Sequence, residues 1–183
     1  MQENKGLSGS TLKMIAIVTM FIDHIGAVIV ERMLLTGNTG VYTYEQIYIL
    51  DRVLRSIGRL GFPLFCFLLV EGFQHTKHFG KYACRLLVFA LISEIPFNLA
   101  FSGSVFFSTY QNVFFTLLFG LLALMLAAPL YEKGEQRKAF FIVLGFALAA
   151  ELLQTDYGFF GVAVIAAMYF LREREVEKYL ISG

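Results

Sequence analysis

Charged residues are scarce in this chain, and their scarcity decides its class. Only 16% of the 183 residues are Asp, Glu, Lys or Arg, whereas 57% are hydrophobic. Soluble domains carry about 25% charged and about 45–50% apolar residues, so this chain has too few polar side chains to coat a globule in water. The composition therefore predicts an integral membrane protein.

Two further shortages exclude other classes of function. The net charge is only +1, from 15 basic and 14 acidic residues, so there is no concentrated basic patch of the kind that binds nucleic acid. The chain has two cysteines, Cys66 and Cys84, and both lie in apolar runs. Neither a disulfide framework nor a zinc site is indicated, and no metal is expected.

Six apolar runs approach the roughly 20 residues that a membrane-spanning helix needs. The last two are short and could form one re-entrant hairpin, but six spans is the favoured interpretation. A cleaved signal peptide is not expected, because Asp23 interrupts the first run and no small-residue cleavage site follows it. We therefore predict an all-α bundle of about six transmembrane helices, at residues 12–34, 54–74, 82–102, 112–131, 138–153 and 157–171.

The basic residues predict which side of the membrane each loop occupies. Four arginines fall on one side: Arg32, Arg52, Arg55 and Arg59. The other eleven basic residues fall on the opposite side: Lys5, Lys13, Lys77, Lys81, Arg85, Lys133, Arg137, Lys138, Arg172, Arg174 and Lys178. The positive-inside rule then places both termini in the cytoplasm. We expect one domain over residues 1–183, with a polar tail at 1–11, a charged tail at 172–183 and a long external loop at 35–53 that contains an interfacial helix.

Several polar side chains lie inside or at the ends of these spans. A charged residue at the bilayer centre costs about 2.5–3.5 kcal/mol on insertion scales, so we expect these groups to face the bundle interior or a water-filled cavity. They are too many to be incidental, and they predict a functional site inside the membrane. The candidates are Asp23, His24, Arg59, Glu71, Glu94, Asn98, Asn112 and Asp156.

His24 is the strongest catalytic candidate, because it is the one deep histidine of three and it follows a carboxylate. It could act as a general base, with Asp23 or Glu94 orienting the ring or stabilising the imidazolium, or it could carry the acyl group covalently. The sequence does not separate these two roles. Asp23 could instead form an ion pair with Arg59 that ties two helices together.

Lys13 precedes His24 by eleven residues, almost three full helical turns, so the two side chains share one helix face about 16 Å apart. Acetyl-coenzyme A has a matching shape, with an anionic head for Lys13 and a thin arm that reaches inward. Lys77 or Lys81 could also hold its phosphates, and Glu71 its adenosine or amide part. Arg59, Asn98 and Asn112 could hold the acceptor or polarise the thioester carbonyl.

The polar residues lie within longer blocks that resemble a known family: LKMIAIVTMFIDHIG at 12–26, IGRLGFPLFCFLLVEGFQHT at 57–76, ALISEIPFNLAF at 90–101, QNVFFTLLFGLL at 111–122 and DYGFFGV at 156–162. They are similar to the TraX family, named for the membrane protein that acetylates the amino terminus of F pilin. That family is similar in turn to the membrane acyltransferase-3 group, which has an Arg ten residues before the His of its first membrane helix. Here Lys13 stands at the arginine position and keeps the charge without the bidentate fork.

The resemblance implies a multi-pass acetyltransferase of the bacterial inner membrane that uses acetyl-CoA. The acceptor would be a hydroxyl or amine of a glycan, lipid or peptide at the membrane or its external face, and we add Asp156 and Tyr157 to its binding site. Longer relatives continue into further hydrophobic segments, so we expect a short or truncated member of the family. A homo-oligomer is also possible.

Two other classes of function stay open. A small proton-coupled transporter would also use buried Asp, His and Glu, although the polar pattern has no internal repeat. The third class is an assembly subunit whose intramembrane charges pair with a partner.

Overall fold

The structure is a computed structural model that describes residues 8–105, 107 and 109–182, with side chains described as far as Arg172. The described residues are helical apart from turns, connections and one isolated bridge between Gln111 and Thr155, which confirms the all-α prediction. The predicted tails at 1–11 and 172–183 lie largely outside the described side chains. The helices are α1 (Gly9–Ile25), α2 (Glu31–Thr36), α3 (Tyr44–Gly58), α4 (Gly61–His75), α5 (Phe79–Ser102), α6 (Val113–Glu132), α7 (Gln136–Leu152) and α8 (Gly158–Ser182), with a π-helical segment at Gly26–Val30.

Four helical stretches among the described residues are long and apolar enough to cross a bilayer: Gly9–Thr36, Tyr44–His75, Phe79–Ser102 and Val113–Glu132. They overlap the first four predicted spans. The apolar part of α8, Gly158–Arg172, is shorter, and α7 has 17 residues. A membrane protein is therefore supported, while the count of six spans and the side of each terminus stay predictions.

The boundary of the second span differs from the predicted one. α3 begins at Tyr44, ten residues before the predicted start of the span and inside the connection at 35–53, where the sequence predicts an interfacial helix. The helix starts there because Thr43 and Gln46 form a capping box, in which each side chain accepts a hydrogen bond from the other residue's backbone N–H. Ile47 is buried, whereas Tyr44 and Tyr48 are exposed, so the start of α3 is amphipathic; its position at the membrane interface stays a prediction.

The backbone forms two compact units, Met1–Leu68 and Leu69–Gly183, with the boundary inside α4. The single-domain organisation stays a prediction. In unit 1, α1 and the π-helical segment pack against α3. Three glycines make this approach possible, because a Cβ at Gly58 would overlap the side chain of Asp23, and one at Gly26 or Gly61 would lie 3.2 or 3.0 Å from a neighbouring side chain.

In unit 2, α6 packs against α5, α7 and α8. Its apolar residues cover the whole helix circumference, which is typical of a helix buried on all sides. Leu121, Leu124 and Ala127 are fully buried. A Cβ at Gly120 would overlap the side chain of Ile165 on α8, so glycine at this position lets the two helices pack closely.

Candidate functional site

The centre of the candidate site in unit 1 is an ion pair between Asp23 on α1 and Arg55 on α3. Arg55 Nη1 donates to Asp23 Oδ2 at 2.6 Å, and the two side chains are only 33% and 16% exposed. The predicted partner was Arg59, so that prediction is wrong. Arg55 and Arg59 are one helical turn apart on the same face, but Arg59 is the C-terminal cap of α3 and its side chain is exposed. Arg55 lies inside the helix, about one turn before Gly58, and a Cβ at Gly58 would overlap the same Asp23 side chain.

His24 follows Asp23 on α1 and is half-buried. Its Nδ1 lies 2.8 Å from the backbone carbonyl oxygen of Met20, one helical turn earlier. A carbonyl oxygen only accepts, so Nδ1 must carry the proton, and in the neutral ring Nε2 holds the lone pair. This is the tautomer that a base acting through Nε2 requires. The π-helical segment begins two residues later, and such segments often occur at functional sites.

A polar cavity of about 280 Å³ opens beside the ion pair. Arg55 forms part of its wall, so the Asp23–Arg55 pair connects the cavity to α1. The other lining residues are Glu31, Tyr48, Asp51, Arg52, Ser56 and Arg59. Arg59, predicted to hold the acceptor, therefore lines a cavity. Asp23, its suggested ion-pair partner, is paired with Arg55 instead.

Lys13 lies on the same continuous helix as His24, since α1 runs unbroken from Gly9 to Ile25. A continuous helix is what the predicted spacing of about 16 Å along one face requires, and the spacing itself stays a prediction. Lys13 is exposed and near the start of α1, as a residue that binds an anionic head group must be.

In unit 2, the polar residues of α5 and α6 form a second cluster. The Asn112 side-chain amide donates to Glu94 Oε2 at 2.5 Å and to the backbone carbonyl of Ala90 at 2.9 Å. Its Oδ1 accepts from the backbone N–H of Phe114, which caps the N-terminus of α6. Asn112 thus joins α5 to α6 with all of its side-chain groups.

The same cluster contains two buried oxygens without donors among the described residues, Glu94 Oε1 and Asn98 Oδ1. Asn98 is 2% exposed, and its amide donates to the carbonyl of Val105 at 3.3 Å. Glu94 and Asn98 are one turn apart on α5, so the two oxygens belong to one helix face.

The turn between α7 and α8 is held by a third set of polar groups. The Asp156 carboxylate accepts from the Tyr110 hydroxyl at 2.6 Å, and its backbone carbonyl accepts from Thr116. Thr116 also lies 2.9 Å from the Thr155 hydroxyl. Tyr157 has a φ of 63°, a left-handed conformation that lets the chain enter α8. Asp156 and Tyr157, predicted to bind the acceptor, lie here in contacts that fix the turn.

The predicted cofactor residues of unit 2 differ in their surroundings. Glu71 forms an ion pair with Arg172 of α8, so its carboxylate already has a partner. Lys77 and Lys81 are exposed near the α4–α5 connection. Among the described residues, no group of three or more His, Cys, Asp and Glu is placed to hold a metal ion.

The structure thus brings His24 and Asp23 together in unit 1, and Glu94 and Asn112 together in unit 2. Sequence reasoning missed Arg55, Asp51 and Arg172. The spacing of Arg52, Arg55 and Arg59 by three and four residues was a usable signal, because it places all three on one face of a helix. Nothing local in the sequence marks Arg172 as the partner of Glu71, 101 residues away.

Comparison with known proteins identifies the family of this chain. Residues 8–182 match the family model described as TraX protein. A probable fimbrial assembly protein, FimC of serogroup H1 from Dichelobacter nodosus, is 36% identical over 193 aligned positions, which cover all of this chain and 71% of that protein. No solved structure matches. The match across nearly every described residue shows that the chain belongs to the TraX family.

Proposed function

We propose that this protein is a membrane-embedded acetyltransferase in which His24 is the general base. The observation that carries the proposal is the orientation of the His24 ring, whose Nδ1 donates to the Met20 carbonyl. His24 directly follows Asp23, and the ion pair of Asp23 with Arg55 borders a polar cavity. Membership of the TraX family and a chain with four candidate membrane spans support it. The matched relative is named as a fimbrial assembly protein, which is compatible with action on a surface component.

In this mechanism, His24 Nε2 takes the proton from the acceptor hydroxyl or amine as that atom attacks the acetyl carbonyl carbon. The carbon–sulphur bond breaks, and the imidazolium returns the proton to the departing thiolate. The Asp23–Arg55 pair fixes α1 against α3. Asp23 lies about 100° round the helix from His24, so it would stabilise the developing imidazolium through its charge rather than by a direct hydrogen bond. Glu94 is proposed as a further positioning residue, and Asn98, Asn112, Asp156 and Tyr157 as acceptor contacts, although their present contacts are structural.

The donor that we propose is acetyl-CoA, which supplies the activated acetyl group when bound. Lys13 fits its anionic end, because it is exposed and shares with His24 one face of an unbroken helix. Lys77 and Lys81 are further exposed cations for the same phosphates. Glu71 fits less well, since Arg172 already neutralises it. We further propose the bacterial inner membrane as the location.

The test is transfer of label from radiolabelled acetyl-CoA by membranes that carry the wild type, His24→Asn or His75→Ala. Asparagine can still donate to the Met20 carbonyl but has no basic nitrogen, so we expect transfer to fall about 10²–10⁴-fold. His75 is exposed at the end of α4, and its variant should transfer as the wild type does. Equal transfer by wild type and His24→Asn would overturn the assignment of His24.

A proton-coupled transporter is the second candidate, favoured by Glu94 Oε1, a buried carboxylate oxygen without a donor among the described residues. In proteoliposomes, a transporter would couple proton uptake to solute uptake and lose this coupling in Glu94→Gln. An acetyltransferase would transfer label in the same preparation without any proton uptake.

A further inference from the structure

The face of α3 that lines the polar cavity carries three arginines, of which only one forms an ion pair among the described residues. Tyr48, Arg52, Arg55 and Arg59 are spaced by four, three and four residues and all line the cavity. Cations one turn apart on a helix repel each other unless an anion lies between them. An anion bound between the outer arginines would relieve this repulsion.

Within ion-pairing distance, the described residues supply a carboxylate for the middle arginine alone, although Glu31 and Asp51 also line the cavity. Asp23 binds Arg55 at 2.6 Å. No carboxylate of the described residues lies within 4.0 Å of the guanidinium of Arg52 or Arg59. Arg52 and Arg59 thus line one cavity without an ion-pair partner among the described residues. Their backbone positions are about 10 Å apart along the helix axis, and two long arginine side chains can span that distance around a small anion.

The wall between the arginines also has an unused acceptor. Asp51 Oδ1 is buried and has no hydrogen-bond donor among the described residues. A buried acceptor without a donor costs about 1–3 kcal/mol, so a bound molecule that donates a hydrogen bond here removes that cost. The cavity needs a ligand with both an anionic group and a donor.

We propose that this cavity binds the acceptor of the proposed acetyl transfer through a phosphate group held by Arg52 and Arg59, while a hydroxyl or amine of the same molecule donates to Asp51. A carboxylate matches one guanidinium fork, whereas a phosphate has enough oxygens to accept from two. The cavity volume of about 280 Å³ suits a phosphate with a few further atoms. The phosphate can belong to a lipid head group or to a soluble phosphate ester, and this inference rests on the proposed function.

The test measures binding of inorganic phosphate to the full chain in phosphatidylcholine nanodiscs, without acetyl-CoA. Arg52→Gln and Arg59→Gln should each weaken binding about tenfold or more, the effect of losing a charge-assisted hydrogen-bonded pair. The matched control is Arg32→Gln, because Arg32 is an exposed arginine of the same unit that does not line the cavity. Arg52→Lys keeps the charge and should weaken binding less than Arg52→Gln. If Arg52→Gln does not fold, Arg52→Lys provides a folded variant in which binding can still be measured.

Phosphatidylglycerol nanodiscs then distinguish the two sources of phosphate. If the natural ligand is a lipid head group, the anionic lipid should compete with inorganic phosphate; if it is a soluble ester, the affinity should stay unchanged. Equal phosphate binding by the wild type and all four variants, or no binding at all, overturns the inference. The binding assay does not depend on acetyl transfer, so phosphate binding can be found even if the acetyltransferase proposal is wrong. Conversely, wild-type membranes can transfer acetyl groups even if no phosphate binds in this cavity.

Discussion

The two units differ in how far the protein satisfies the polar side chains of its apolar helices. In unit 2, Asn112, Thr116 and Asp156 have almost all of their polar atoms engaged with neighbouring helices and turns, although two buried oxygens, on Glu94 and Asn98, have no donor among the described residues. In unit 1, three arginines of α3 line a cavity, and among the described residues only Arg55 forms an ion pair there. A polar residue in an apolar span is therefore not by itself a sign of chemistry. The informative difference is whether the protein satisfies the group or leaves it facing a space that a ligand could enter.

The largest loss of stability is expected from Asn112→Ala in unit 2. This change removes the cap of α6, worth about 1 kcal/mol, and takes from Glu94 the amide that donates to Oε2. Glu94 Oε2 then keeps only the longer hydrogen bond from the backbone N–H of residue 112, at 3.4 Å, and the loss of the shorter one adds about 1–2 kcal/mol, so we expect a total of about 2–3 kcal/mol. Unfolding in mixed micelles on titration with SDS measures it. A loss below about 1 kcal/mol would mean that Asn112 does not join α5 to α6.

Gly58→Ala should have the largest effect in unit 1, about 1–3 kcal/mol, because the new Cβ would overlap the Asp23 side chain and push α1 away from α3. The same unfolding assay measures it. Gly145→Ala is the matched control: its Cβ meets nothing within 4 Å, so the change should stabilise α7 by about 0.5–1 kcal/mol. Equal effects of the two alanines would contradict the close approach at Asp23.

Thr116→Val tests the network at the α7–α8 turn. Valine has nearly the same shape but cannot bond Thr155 or the Asp156 carbonyl, so the free energy of unfolding should fall by about 1–2 kcal/mol. Thr36→Val, at an exposed position at the end of α2, should change it by less than about 0.5 kcal/mol. If both valines behave alike, the buried hydroxyl does not hold the turn.

The smallest effect is expected at the exposed pair of Lys138 and Glu135, which are 2.8 Å apart with side chains 70% and 40% exposed. Lys138→Ala should lower the free energy of unfolding by less than about 0.5 kcal/mol in the same micelle assay. A loss comparable to that of Asn112→Ala would show that the assay does not separate buried from exposed polar contacts.

Composition and the apolar runs were sufficient to predict the class of fold and the approximate positions of four candidate spans. An interfacial helix was predicted near the start of α3 but not its first residue, because Thr43 and Gln46 look like loop residues until they are recognised as a capping box. Asp23, Glu94 and Asn112 were predicted as site residues, whereas Arg55 and the pairing of these side chains were not. Arg55 and Arg59 share one face of α3, and the tertiary packing of α1 on α3 determines which of them meets Asp23.

The partnership of Glu71 with Arg172, and of Thr116 with Thr155, depends on tertiary packing between distant residues. No local pattern in a single sequence contains that information. The cavity of unit 1 is a similar case, because it is bounded by residues from both α2 and α3. The sequence predicted residues suited to a site, whereas the structure identifies which of them border a space.

The most direct test of this account is a parallel measurement of acetyl transfer and unfolding free energy for His24→Asn and Thr116→Val. We expect His24→Asn to lose transfer about 10²–10⁴-fold with little change in stability, because its base is removed while the hydrogen bond to the Met20 carbonyl can still form. We expect Thr116→Val to lose stability while its folded fraction transfers label as the wild type does. Full transfer by His24→Asn, or loss of transfer by fully folded Thr116→Val, would contradict the distinction between the catalytic base on α1 and the structural network at the α7–α8 turn.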